Sequence, residues 1–198
     1  MAILKSLQNL LEKSGIKHEV VDHKTVYTAH DNAQTQHIKP QEVVKTLVMK
    51  ISSKKHILAL ISANKNLDKK KLLKEVNTWL KKEEKKAVKT VEFAKEAWMK
   101  KNMKGKIGAT VPFGSLAKMT TFVDKNLLKN KDLIINTGDY TKSVKLATKK
   151  FIELEDVVKG VFSEAKPMKK KIKVRSKSKT KTATKPKKAT KKKIVKKK

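Results

Sequence analysis

Residues 41–50 read QEVVKTLVMK. Without Lys45 the run would be a buried strand, apolar on both faces. A lysine inside it has three outlets: its amine snorkels to solvent, pairs with an acid, or faces a site. Pro40 breaks the chain ahead of the run, and the polar turn SSKK (52–55) separates it from a second apolar run, HILALIS (56–62). Two apolar runs joined by so short a polar link predict a β-hairpin.

Working outward, Ile3, Leu4, Leu7, Leu10 and Leu11 recur at helical spacing, and Gly15 marks a stop. HEVVDH (18–23) predicts a strand, and residues 29–37 a short helix. Beyond the hairpin, Asp68 stands near a helix start whose apolar stripe is Leu72, Leu73, Val76 and Leu80. Residues 90–102 predict another helix, capped by Thr90, with Val91, Phe93, Ala94, Ala97 and Trp98 facing inward. MTTFVD (119–124), DLIINTG (132–138) and SVKLA (143–147) predict strands, and 151–162 a closing helix. Strands and helices mix without regular βαβ alternation, so the expected fold is one α+β domain with a mixed, mostly antiparallel sheet and surrounding helices.

The formal charge is +33, from 51 Lys+Arg and 18 Asp+Glu. Residues 166–198 hold 18 of the basic residues and no acid, so 1–165 keep 33 basic and 18 acidic groups, a net of +15. A field of that sign on both parts favours polyanions. The lysine-, threonine- and alanine-rich tail lacks the apolar surface to offset ordering entropy and is expected to be disordered, giving a domain over 1–165 and a tail over 166–198.

With no cysteine in the chain, disulfides, thiolate catalysis and cysteine-containing zinc sites are excluded, which fits a cytoplasmic location. His18, His23, His30, His37 and His56 form no metal-binding spacing, so no metal or other cofactor is expected. No apolar run is long enough to span a bilayer, and a membrane partner is not expected. There is no G-x-S-x-G, P-loop or G-x-G-x-x-G. What remains is GATVPFG (108–114). Gly108 allows a backbone shape or a close approach that a side chain would block, and Pro112 stiffens the segment. Read alone, it is either an ordinary Gly/Pro turn or a rigid loop whose amides hold an oxyanion or a water.

Taken together, VVDH, YTAHDNA, VVKTLV, GATVPFG, FVD, NTG and SVKL in this order resemble the YbaK-like aminoacyl-tRNA deacylase family, also found as the editing insertion of bacterial prolyl-tRNA synthetases. The likeness spans roughly residues 3 to 160 and leaves the basic tail without a counterpart. It implies a hydrolase that removes a mischarged small amino acid from the terminal adenosine of tRNA, acting in trans. On this reading the family lysine falls on Lys45, the G-x-x-x-P pattern on Gly108 and Pro112, the strand aspartate on Asp124 and the strand-end glycine on Gly138. The amides of Gly108 and Ala109 would stabilise the oxyanion. Lys45 would serve either that oxyanion or the terminal phosphate, and His23, Tyr27 and Thr46 would line the pocket. The tail would add RNA affinity, or bind another nucleic acid. The alternative is a non-catalytic nucleic-acid-binding protein with the same fold.

Overall fold

The computed structural model describes residues 3–166, and the basic tail beyond Lys166, with the disorder expected of it, lies outside them. Helix α1 (Lys5–Lys13) buries Leu7 and Leu11, and the chain turns at Gly15 with φ +62°. Strand β1 (His18–Asp22) and helix α2 (Ala29–Thr35) follow, α2 capped by the Thr28 hydroxyl accepting from the Asp31 N–H. The hairpin is β2 (Val44–Lys50) and β3 (His56–Ser62), antiparallel from the Val44–Ser62 pair to the Lys50–His56 pair. After β4 (Lys65–Leu67), helix α3 (Lys69–Lys82) starts on Asp68, whose carboxylate accepts from the Lys70 and Lys71 N–H groups.

Residues 90–102 depart from the expected single helix. Glu92–Phe93 form a short strand, β5, on the open edge of β2, and the helix, α4, covers only Glu96–Asn102. The edge of β2 offers backbone partners that a first helical turn would lack, as the bond from Ala94 N–H to the Val48 carbonyl shows. Phe93 and Ala97 therefore face solvent, and Thr90 caps nothing.

Next come β6 (Thr120–Asp124), β7 (Asp132–Asn136), β8 (Lys142–Ala147) and α5 (Thr148–Leu154). The expected closing helix over 151–162 also divides: α5 ends at Leu154, and β9 (Val157–Gly160) lies parallel to β6. Glu155 makes the break. Its buried carboxylate accepts from the hydroxyls of Ser115 (2.6 Å) and Thr121 (2.6 Å), which pulls the chain out of helical geometry. The β-branched pair Val157–Val158 then extends. β10 (Ser163–Ala165) pairs with β4.

The strands form a five-stranded sheet, β5-β2-β3-β6-β9, an antiparallel three-stranded sheet, β1-β8-β7, and the β10-β4 pair. Among the described residues, the β3–β6 and β6–β9 pairings and an isolated Val43–Ile134 bridge are parallel and the other strand pairings antiparallel, so the expected mixed, mostly antiparallel α+β fold is what forms. One core lies on the face of the large sheet that carries Val44, Val48, Leu58 and Leu60, against Leu7, Leu133, Val144, Phe151 and the loop residues Val111 and Phe113. The second covers the opposite face, where Met49, Ile57, Ile61 and Phe122 meet Leu72, Val76 and Leu80 of α3.

Candidate functional site

Gly108 is the third residue of a tight turn. The Ala109 N–H donates to the Lys106 carbonyl (3.1 Å), and Gly108 has φ +88°. That is the type II position which requires glycine. A Cβ there would come within 3.2 Å of the Tyr27 carbonyl oxygen. The turn is clasped to the segment after β7: the Lys106 N–H donates to the Gly138 carbonyl (2.9 Å), and the Gly138 N–H to the Ala109 carbonyl (3.0 Å). Gly105 and Gly138 touch through their backbones, and a Cβ on Gly105 would lie 2.7 Å from the Gly138 Cα. Both glycines have positive φ, so the clasp depends on two positions where a side chain is excluded.

Side chains lock the same contact. The Tyr140 hydroxyl donates to the Ile107 carbonyl (2.5 Å), and Lys106 pairs with Asp139 (2.8 Å) and lies over the Tyr140 ring (5.1 Å). Tyr27 packs edge-on against Tyr140 with 66% of its surface exposed. Neither Lys106, Asp139 nor Tyr140 is singled out by the sequence motifs. An NTG followed by an acid and an aromatic is the signal that could have marked the last two.

Lys106 holds the carboxyl of Asp139 well below the usual carboxylate range, with the Thr141 hydroxyl also bonding to it. A lowered carboxylate pKa contributes stability that is complete above about pH 4 and is lost as pH falls through the group's own lower pKa. Asp139→Asn should therefore lower Tm at neutral pH and lose less stability on acidification than the wild type does. Thermal melts between pH 3 and 7 test this; parallel Tm–pH curves for the two proteins would show that the pair is energetically silent.

The remaining sequence-predicted residues fall into separate places. The Ala109 N–H is committed to the Lys106 carbonyl, so it is the turn's own bond and not a free oxyanion donor. Gly108 is exposed, and its N–H has no partner among the described residues. Pro112 is buried behind the turn, between Val111 and Phe113 of the core. Asp124 is fully buried and has no surface to offer a substrate. Its carboxylate accepts from the N–H groups of Asn126 (2.9 Å), Phe162 (2.8 Å) and Ser163 (2.7 Å), joining the end of β6 to β10.

His23 lines a cleft of about 630 Å³ bounded by β1, β8 and α2. Its Nδ1 sits 2.8 Å from the Lys24 carbonyl and must donate to it, so Nε2 accepts from the Ser143 hydroxyl (2.9 Å). Both ring nitrogens are thereby occupied, and Asn32 completes the cluster by donating to Ser143 (3.0 Å).

Lys45 and Thr46 project from opposite faces of β2. Thr46 shares the face of Val44 and Val48, and its buried hydroxyl has no partner among the described residues. Lys45 shares the face of Leu47 and Met49, and no bond or ion pair joins it to the Gly108 turn. It is half-buried and pairs with no acid among the described residues. Burial, and secondly the charge of Lys166, push its pKa down. Of the three outlets open to a lysine in this strand, pairing with an acid is thus eliminated.

A sequence model of the aminoacyl-tRNA editing domain matches residues 23–154, a span that contains the turn, its clasp and Lys45. The chain belongs to this editing-domain family. The solved structure of hypothetical protein APE2540 superposes with a TM-score of 0.67 at 16% identity, over 81% of this chain and 100% of the other. A candidate trans-editing enzyme for prolyl tRNA synthetase superposes with a TM-score of 0.66 at 20% identity, over 83% of this chain and 100% of the other. A third structure, assigned to signal transduction in Marinobacter aquaeolei VT8, gives 0.58 at 11% identity; the shared part is 82% of this chain but 31% of that longer one. At these identities the likeness is one of fold, and it shows the editing-domain architecture both free-standing and within a larger chain. No curated protein sequence matches significantly.

Proposed function

We propose that this editing domain is a deacylase that acts in trans on tRNA carrying a mischarged small amino acid. The observation that carries the reading is the Gly108 turn: the N–H of an exposed glycine, without a partner among the described residues and held by the clasp to Gly138, within a family whose members edit aminoacyl-tRNA. An aminoacyl ester is labile, so the protein needs no strong nucleophile. A water adds to the ester carbonyl carbon, and the Gly108 N–H donates to the oxyanion that forms. The tetrahedral intermediate collapses by expelling the ribose oxygen. The products are the free amino acid and a tRNA with its terminal hydroxyl restored. The neighbouring ribose hydroxyl helps to activate the water, as the family resemblance implies. His23 is not cast as the base, because both its nitrogens are occupied.

Lys45, a half-buried cation without an acid and apart from the turn, is assigned to the terminal phosphate. The basic tail supplies electrostatic affinity that does not depend on sequence. The second reading, a nucleic-acid-binding protein without activity, is favoured only by the charge of +33.

The deciding experiment incubates the full chain with alanyl-, cysteinyl- and seryl-tRNA and follows ester hydrolysis. Loss of at least one ester well above the spontaneous rate is expected; none on any ester leaves the binding reading. The same assay locates the tail. Deleting 167–198 removes 17 of the tail's 18 charges and retains Lys166. The loss should fall on KM, with a shallower dependence of log affinity on log salt, and not on kcat. A truncated protein with collapsed kcat would place the tail in the chemistry.

A further inference from the structure

The segment that leads into the Gly108 turn, KKNMKGK (100–106), holds four lysines and no acid. All four are exposed. Lys106 is used by Asp139, whereas Lys100, Lys101 and Lys104 have no acidic partner among the described residues. We propose that Lys100, Lys101 and Lys104 form a seat for the phosphate backbone of the tRNA acceptor stem, delivering the aminoacylated end to the turn. The inference rests on the editing reading for the identity of the RNA.

Three observations carry it. First, Lys100 and Lys101 stand on a fixed element, and Lys104 directly follows the core-packed Met103. The Trp98 ring of α4 stacks on His56 with centroids 3.5 Å apart and planes at 15°, and Met99 and Met103 pack on the main core. A charge held in place loses less freedom on meeting a phosphate than one on a loose chain. Second, the lysines are continuous with the candidate site. Gly108 is four steps along the chain from Lys104, at most ~14 Å when extended, and the clasp to Gly138 fixes the intervening residues.

Third, the other lysine-rich helix lacks this placement. On α3, Lys71 pairs with Asp68, Lys69 lies over the exposed Phe93 ring and Glu75 interrupts the run; Lys70, Lys74, Lys81 and Lys82 have no acidic partner among the described residues, but they do not lead into the Gly108 turn. Just past its end, Lys85 pairs with Glu83. Cations in the last turn of a helix also favour its macrodipole, which would suffice for Lys100 and Lys101. It does not account for Lys104, which lies beyond the helix and faces solvent.

The test compares two charge-matched variants of the full chain. One is Lys100→Ala/Lys101→Ala/Lys104→Ala; the other is Lys70→Ala/Lys74→Ala/Lys81→Ala on α3. Affinity for uncharged tRNA is titrated at several salt concentrations. The α4 triple should bind about 10-fold or more weakly, and its salt slope should fall by roughly two to three, at ~0.7–0.9 per lost phosphate contact. The α3 triple should shift affinity by less than about 3-fold. In single-turnover deacylation, the wild-type preference for full-length aminoacyl-tRNA over an aminoacylated CCA trinucleotide should drop by about 10-fold in the α4 triple only. Equal losses in the two triples, or none in the α4 triple, would overturn the seat. A wild-type protein that hydrolyses no aminoacyl-tRNA would refute the editing reading instead, and the binding titration would still decide the seat.

Discussion

Replacing Gly108 by alanine is expected to slow hydrolysis of the aminoacyl ester by about 10²-fold or more, the scale of losing one oxyanion donor. Two effects act together. The backbone at φ +88° is a conformation that L side chains rarely adopt, and the new Cβ would press on the Tyr27 carbonyl at 3.2 Å. The turn relaxes either by rotating the Gly108 peptide or by pushing the 23–28 segment away, and both move the N–H off its target. Gly15→Ala is the matched control. Gly15 also has positive φ, +62°, but nothing lies within 4 Å of its Cβ position. It carries a similar backbone penalty, on the order of 1–2 kcal/mol, far from the turn. Loss of Tm in both variants with loss of hydrolysis in Gly108→Ala alone is the expected pattern. Full single-turnover rates in a folded Gly108→Ala protein would remove the turn from the chemistry.

Lys45→Met should produce the second large effect, a loss of saturated turnover by about 10²-fold, the scale of a misplaced reacting group. It should do so without harm to the fold. The lysine is half-buried, its pKa is pushed down by burial, and no acid among the described residues compensates it. Methionine fills similar volume without a charge to desolvate, so Tm at neutral pH should hold or rise. The sign of the pH dependence follows. A lysine with a lowered folded-state pKa penalises the fold while it is charged, and the penalty is relieved as pH rises through that pKa toward the unfolded value near 10.4. The stability advantage of Lys45→Met over wild type should therefore be largest at neutral pH and shrink as the solution becomes alkaline. A fully active Lys45→Met would return the lysine to snorkelling from β2, and a strongly destabilised one would make it structural.

Much of the fold is legible locally. The hairpin of β2 and β3 follows from two apolar runs and a polar turn, and α3 from its stripe and the Asp68 cap. Both failures share one cause. At 90–95 and at 155–162 the local pattern allows a helix, but a distant partner decides otherwise: the free edge of β2 in one case, and in the other Ser115 and Thr121 drawing Glu155 out of the helix beside β6. A backbone segment takes the state that satisfies its polar groups, and those partners are invisible in a short window.

The candidate site divides the same way. Sequence alone determined that Gly108 permits a backbone shape a side chain would block, that Lys45 is out of place in an apolar strand, and that the chain carries a net charge of +33. Only the tertiary structure decided that Gly138 and Gly105 meet to clasp the turn, that the Ala109 N–H is already used, and that Asp124 braces β6 to β10 from within the core. The physical reason is the range of each effect. A glycine's φ and a buried charge are properties of one residue and its neighbours. Whether an N–H or a carboxylate remains free depends on which groups the fold brings within hydrogen-bond distance from far along the chain.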